Sequence, residues 1–136
     1  MKTVLTVGVF DLLHYGHFEL FRRAKELAGE DGKLTVAIQE DEYVTKYKPE
    51  VNLVYDWDTR KKMVAALRYV DKVVPYTDID KFITQIDFDI FAIGGDQLHA
   101  GFQKAVEWCN ENGKEVVRLS RTKNISSSML RGNKTK

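Results

Sequence analysis

The sequence predicts an α/β domain, a parallel sheet with helices on both faces. Three observations carry that expectation. Short apolar runs alternate with helix-period segments along the chain. Glycines close the helical segments between runs, Gly29 and Gly32 after the first and Gly113 after the fourth. The first run ends in a tight turn that opens directly into an amphipathic helix. A βαβ alternation of this kind builds a parallel sheet and places ligands beyond the carboxyl ends of its strands, where the strand order reverses.

The elements follow in order. Strands are expected at Val4–Phe10, Leu34–Gln39, Lys72–Pro75, Ile90–Ile93 and Glu115–Leu119. Helices are expected at Phe18–Ala28, Thr59–Leu67, Ile79–Gln85, Phe102–Asn112 and Ser127–Arg131. In the first helix Phe18, Phe21, Ala24, Leu27 and Ala28 share one face, as a 3.6-residue period requires, and Gly29 closes it. Asp58 is expected to cap the second helix through its carboxylate. Gly113 stops the fourth. Asp41 to Trp57 shows no period and reads as a long loop, a length usually tied to function. Gly132 to Lys136 reads as a solvated tail.

The chain has 136 residues, 43% hydrophobic and 30% charged, the make-up of one globular domain spanning 1–136. A net charge of +1 gives no global field for nucleic acid. One cysteine, Cys109, excludes an intrachain disulfide framework and reads as a packed thiol. No apolar run reaches the roughly 20 residues of a membrane span, and Met1-Lys2-Thr3-Val4 lacks the pattern of a signal peptide. A cytoplasmic protein with no membrane insertion is the expectation.

The chemistry concentrates near the first turn. Gly8-Val9-Phe10-Asp11 ends the first strand, and Leu12-Leu13-His14-Tyr15-Gly16-His17 follows. A helix N-terminus attracts anions through its unpaired N–H groups and its dipole. Two imidazoles placed there can donate to a phosphate that gains charge, and Gly16 lets the chain turn closely. A metal pair is the weaker reading, because no third ligand stands nearby. Ser126, Ser127 and Ser128 are expected to open a short helix where hydroxyls and N–H groups converge on phosphates. Arg121 adds a planar fork for phosphate oxygens. Asp11 and Asp96 end strands at the crevice and could hold Mg²⁺, bond a ribose hydroxyl or orient a lysine. Lys46 and Lys48 read equally as a solvated pair or as phosphate ligands. Trp57, Tyr55 and Tyr69 read first as core aromatics and second as lining of an acceptor pocket or subunit contact.

Gly8 to His17 resembles the signature of the cytidylyltransferases of the nucleotidyltransferase superfamily, with its His-x-Gly-His element. Arg121-Thr122-Lys123-Asn124-Ile125-Ser126-Ser127-Ser128 is similar to the second family signature. Arg68-Tyr69-Val70-Asp71 and Gly95-Asp96 match two further elements in order. By length and pattern the chain looks most like the glycerol-3-phosphate cytidylyltransferases. The resemblance implies a three-layer Rossmann-like nucleotidyltransferase domain with a five-stranded parallel sheet in order 3-2-1-4-5. It implies transfer of CMP from CTP to a phosphorylated alcohol, with Mg²⁺ as cofactor, a CDP-alcohol and pyrophosphate as products, and a homodimer as the assembly. His14, His17, Lys46 and Arg121 would be catalytic. Gly8, Val9, Phe10, Asp11, Gly16, Gly94, Asp96, Arg121, Thr122, Ile125, Ser126, Ser127 and Ser128 would bind the nucleotide. Lys46, Lys48, Arg60, Arg68 and Gln97 would face the acceptor, and Asp11 the metal.

Two departures stand out. Val9 replaces a threonine common in relatives. Gly95-Asp96-Gln97-Leu98-His99 stands where glycerol-phosphate enzymes tend to carry Gly-Asp-Asp-Trp, so the acceptor can differ. The rivals are an adenylyltransferase on the same fold and a non-enzymatic nucleotide sensor. A class I aminoacyl-tRNA synthetase shares the His-x-Gly-His element but needs tRNA-reading regions that this length does not hold.

Overall fold

The first strand is buried from Val4 to Gly8, and its side chains point alternately to two covered faces, which sets the layers. In the computed structural model, which describes residues 2–50, 52–94 and 100–119, β1 (Thr3–Gly8) sends Val4 to one side and Leu5 and Val7 to the other. The chain continues as α1 (Tyr15–Ala28), β2 (Lys33–Gln39), α2 (Asp41–Tyr47), α3 (Trp57–Ala65), β3 (Lys72–Tyr76), α4 (Ile79–Phe82), β4 (Ile90–Gly94), α5 (Ala100–Glu111) and β5 (Glu115–Leu119). The five strands form one sheet in order β3-β2-β1-β4-β5, all neighbours parallel. The order reverses between β1 and β4, which puts a ligand crevice at their carboxyl ends.

Two cores result, one on each face. Phe21, Ala24 and Ala28 of α1 and Val64 of α3 pack with Val4, Leu34, Val36, Ile38, Ile90 and Ala92. Ile79 and Ile83 from the α4 segment, with Phe102, Ala105 and Cys109 of α5, pack with Leu5, Val7, Ala37, Phe91 and Ile93. The strands are apolar on both sides, as a sheet covered on both faces requires. Burial pushes the Cys109 thiol up to about 11, so it is inert in the native protein. Labelling by a thiol reagent at pH 8 is expected to be far slower in buffer than in urea. Equal rates would contradict the packing.

Several boundaries differ from the sequence expectation, each for a physical reason. β1 stops at Gly8 because Phe10 takes φ 52°, which breaks the extended chain. α1 begins three residues before Phe18, because His14 caps it and Tyr15, Gly16 and His17 form a first turn without apolar periodicity. The segment expected as a loop contains α2. Only Val44 of that helix is buried, so no period shows, while Asp41 and Glu42 at one end and Lys46 at the other suit its dipole. α3 is capped by Asp56, whose carboxylate accepts from Thr59 N at 2.8 Å; Asp58 instead lies in the first turn and pairs with Lys62 at 3.0 Å. α3 ends at Ala65, so Arg68 falls in the following turn, and α4 ends at Phe82 rather than Gln85. The helix expected at Ser127–Arg131 and the tail at 132–136 lie outside the described residues.

Candidate active site

The turn between β1 and α1 is built from within its own sequence. Gly8 leaves room for Phe10: a Cβ on residue 8 would stand 2.8 Å from Phe10 Cζ. The Phe10 ring is buried and meets His17 edge-on, centroids 5.4 Å apart at 88°, and Phe21 at 5.0 Å. Phe10 was expected to touch the nucleotide. Its ring lies in the core and supports His17 from below, and its positive φ is strain held at the head of the site. Gly8→Ala should therefore displace Phe10 and His17 together. About 1–3 kcal/mol of stability should be lost, the usual cost of overpacking, alongside a fall in turnover. Urea unfolding and a rate assay check this, and a variant as stable and active as the parent would refute it.

His14 and His17 form a reciprocal cap. His14 Nδ1 accepts from Gly16 N at 3.0 Å, and His17 Nδ1 accepts from His14 N at 3.3 Å. The rings stack with centroids 4.0 Å apart. An imidazole whose Nδ1 accepts carries its proton on Nε2. Both histidines thus present Nε2–H donors at the N-terminus of a 14-residue helix with no acidic residue in its first turn. The arrangement can stabilise negative charge without transferring a proton. Gly16 stands at the second helical position, where its N–H serves His14.

Asp11 is buried, and both its oxygens are engaged. Oδ2 accepts from Val54 N at 2.8 Å and Oδ1 from Tyr55 N at 2.9 Å. The carboxylate clamps the segment before α3 onto the turn. Each oxygen accepts one N–H bond in that clamp, and among the described residues no group of three His, Cys, Asp or Glu side chains comes together. Tyr55 joins the site here through its backbone, a role its aromatic ring gave no reason to expect.

Arg60 also departs from expectation. It was expected to face the acceptor, yet its side chain is fully buried. Nη1 donates to Val9 O at 2.8 Å and Nη2 pairs with Asp41. Among the described residues its Nε has no partner. Arg60 ties the histidine turn to the start of α2, and Val9 serves through its carbonyl. Asp41 also accepts from Trp57 N at 3.3 Å, and Trp57 Nε1 donates to Ile38 O at 2.9 Å. Asp41 was missed because a residue inside an apparent loop carried no signal; two acidic residues following a strand would have marked a helix start.

Lys46 and Lys48 sit at the end of α2 and are exposed. α2 leaves the carboxyl end of β2, the same edge of the sheet as His14. Gly94 ends β4 beside the switch point, paired with Leu119. Arg68 is exposed, its guanidinium 5.6 Å from the Tyr69 ring, and that ring packs at 5.3 Å on Phe18, next to His17. Asp96, Gln97, Arg121, Thr122, Ile125, Ser126, Ser127 and Ser128 lie outside the described residues.

Asp71 anchors the back of α1. It accepts from Lys25 Nζ at 2.5 Å and from Leu34 N at 2.8 Å. Partial burial pulls its carboxyl upward, and the Lys25 ammonium with the Leu34 N–H outweighs that, so it ionises below the ordinary carboxylate range. A depressed folded value stabilises above the unfolded value of about 3.9 and is lost as pH falls through the folded one. Asp71→Asn should flatten the acid limb of a stability–pH curve, and an unchanged limb would contradict the assignment.

Comparison with known proteins places this turn in a family. The family described as cytidylyltransferase-like matches residues 5–133. A glycerol-3-phosphate cytidylyltransferase from Staphylococcus aureus is 38% identical over 96% of this chain and 93% of its own. An FAD synthase from Korarchaeum cryptofilum is 33% identical over 95% of this chain and 88% of its own. A lipopolysaccharide core biosynthesis protein from Thermoplasma volcanium superposes with a TM-score of 0.72 at 26% identity, covering 92% of this chain and 99% of that one. A match that starts inside β1 and runs beyond β5, on a sheet whose order reverses at the histidine turn, makes this chain a member of the cytidylyltransferase-like family and a nucleotidyltransferase enzyme.

Proposed function

We propose that the protein transfers CMP from CTP to the phosphate of a phosphorylated alcohol of the glycerol 3-phosphate kind. An acceptor phosphate oxygen attacks the α-phosphorus. The bond from that phosphorus to the bridging oxygen breaks, and pyrophosphate leaves with the electron pair. A CDP-alcohol remains. The observation that carries the reading is the reciprocal cap of His14 and His17, which directs two Nε2–H donors from a helix N-terminus.

An acceptor phosphate is already largely ionised at pH 7, so the reaction needs no general base. Catalysis rests on positioning and on charge stabilisation at phosphorus. In this reading His14 and His17 donate to the α-phosphate and the bridging oxygen. The ammonium of Lys46 offsets the charge of two approaching anions, and Lys48 and Arg68 serve the acceptor phosphate. Arg121 and Ser126 to Ser128 carry the pyrophosphate, a role that rests on the family motif alone. Bound with the triphosphate, Mg²⁺ would supply neutralisation of the charge on the leaving group. A homodimer belongs to the same reading, and sedimentation tests it.

A second reading has its own support. FAD synthases from archaea are 33–38% identical across most of the chain, which favours an adenylyltransferase that uses ATP. Pyrophosphate release with Mg²⁺ separates the two. CTP and ATP are crossed with glycerol 3-phosphate, glycerol 2-phosphate, phosphocholine, phosphoethanolamine, sugar phosphates and FMN. Release with CTP and one phosphorylated alcohol is the expected result. Release with ATP and FMN alone would overturn it, and nucleotide binding without any release would identify a sensor.

A further inference from the structure

Lys46 is held between two tyrosines. Tyr43 lies three residues before Lys46 and four before Tyr47 on α2, so it neighbours both across one helical turn, while Lys46 and Tyr47 are adjacent in the chain. Lys46 Nζ stands 5.3 Å from the centroid of the Tyr43 ring and 5.3 Å from that of Tyr47. The two rings are 6.4 Å apart and inclined at 43°, which makes a cleft rather than a flat stack. Tyr47 is exposed, yet its hydroxyl is tied to the Asp78 carboxylate, and Gln39 Nε2 donates to Thr77 O at 3.0 Å. The corner after β3 therefore fastens both the end of β2 and the last turn of α2.

We propose that Tyr43 and Tyr47 are positioning residues for Lys46, and that together they set how tightly the acceptor phosphate binds. The inference rests on the acceptor-side reading of Lys46. A solvated lysine samples many rotamers, and an anion that recruits it must order that chain. Two ring faces attract the ammonium and narrow the choice before the anion arrives. The rings leave the N–H donors to the anion, because a cation over a ring face keeps its outward hydrogens. The tie to Asp78 holds the Tyr47 ring at the site, so part of the ordering is done when the chain folds.

The test uses the intact protein with CTP and glycerol 3-phosphate. Replacing one ring by leucine should raise the acceptor KM about 3-fold, and replacing both about 10-fold, the fold-changes of one and two exposed cation–π contacts. Tyr47→Phe keeps the ring but loses the tie to Asp78, and its KM should fall between those of the parent and the leucine variant. In a Lys46→Ala background the double leucine variant should cost nothing further, because the tyrosines act only through the lysine. An unchanged KM in the leucine variants overturns the inference, and so does an equal loss with and without Lys46. If Lys46→Ala alone leaves the acceptor KM untouched, the acceptor-side reading of that lysine fails, and that result is seen separately. NMR gives a readout independent of turnover. The Lys46 Hε protons should be shifted upfield by the rings, lose that shift in the leucine variants, and move when glycerol 3-phosphate is added. Unshifted Hε protons in the parent would also overturn the cradle.

Discussion

His17→Ala is expected to lower kcat by about 10²–10³-fold, the scale of removing one oxyanion-type donor. The substitution removes two things at once. It deletes an Nε2–H donor aimed from the N-terminus of α1, and it deletes the acceptor that His14 N uses in the cap. The two effects separate with His17→Gln, because glutamine at the third helical position can reach back to the capping residue's N–H. Stability should return in that variant, while turnover stays well below the parent. The loss should appear in kcat rather than in nucleotide KM, because the donor gains strength only as charge develops at phosphorus. Steady-state pyrophosphate release decides this, and near-normal turnover in His17→Ala would end the proposed mechanism.

Arg60→Ala should cost the fold about 2–4 kcal/mol. The side chain is fully buried, so its removal leaves a cavity under the site. It also strips Val9 O of its donor and releases Asp41. The Asp41 partner is 44% exposed, so the ion pair itself contributes little and the cost lies in packing and in the orphaned carbonyl. Arg60→Met keeps most of the buried stem and should recover part of the stability but not the tie to Val9. Turnover should fall in both variants, because Val9 immediately precedes Phe10, on which His17 rests. An acceptor-binding arginine would behave in the opposite way, with acceptor KM raised and unfolding unchanged. Urea denaturation beside acceptor kinetics distinguishes the two roles.

Much of the fold was legible because its causes are local. The burial of the strands shows in runs of apolar residues, and β5 falls at Glu115–Leu119 as expected. Parallel order followed from alternation, since parallel strands need crossovers and the helical segments supply them. The histidine turn was legible for the same reason: His14, Gly16 and His17 bond within three residues of one another. Local signals compete at the start of α3. Asp56 and Asp58 are both able to cap α3, and the bond to Thr59 chose the first. α2 escaped notice because it rests on one buried residue and on contacts to the β3 corner, not on a periodic face.

The sequence by itself determined the layers, the crevice at the carboxyl ends of β1 and β4, and a histidine pair at a helix N-terminus. Those features arise from periodicity and capping, which act over a few residues. Only the tertiary structure decided what Asp11 and Arg60 do. Asp11 bonds to Val54, 43 residues away, and Arg60 to Val9, 51 residues away. A charged residue near a ligand motif looks the same in sequence whether it meets substrate or backbone. Burial and the partner brought to it by folding separate the two, and here both side chains are used to hold the turn that carries His14 and His17.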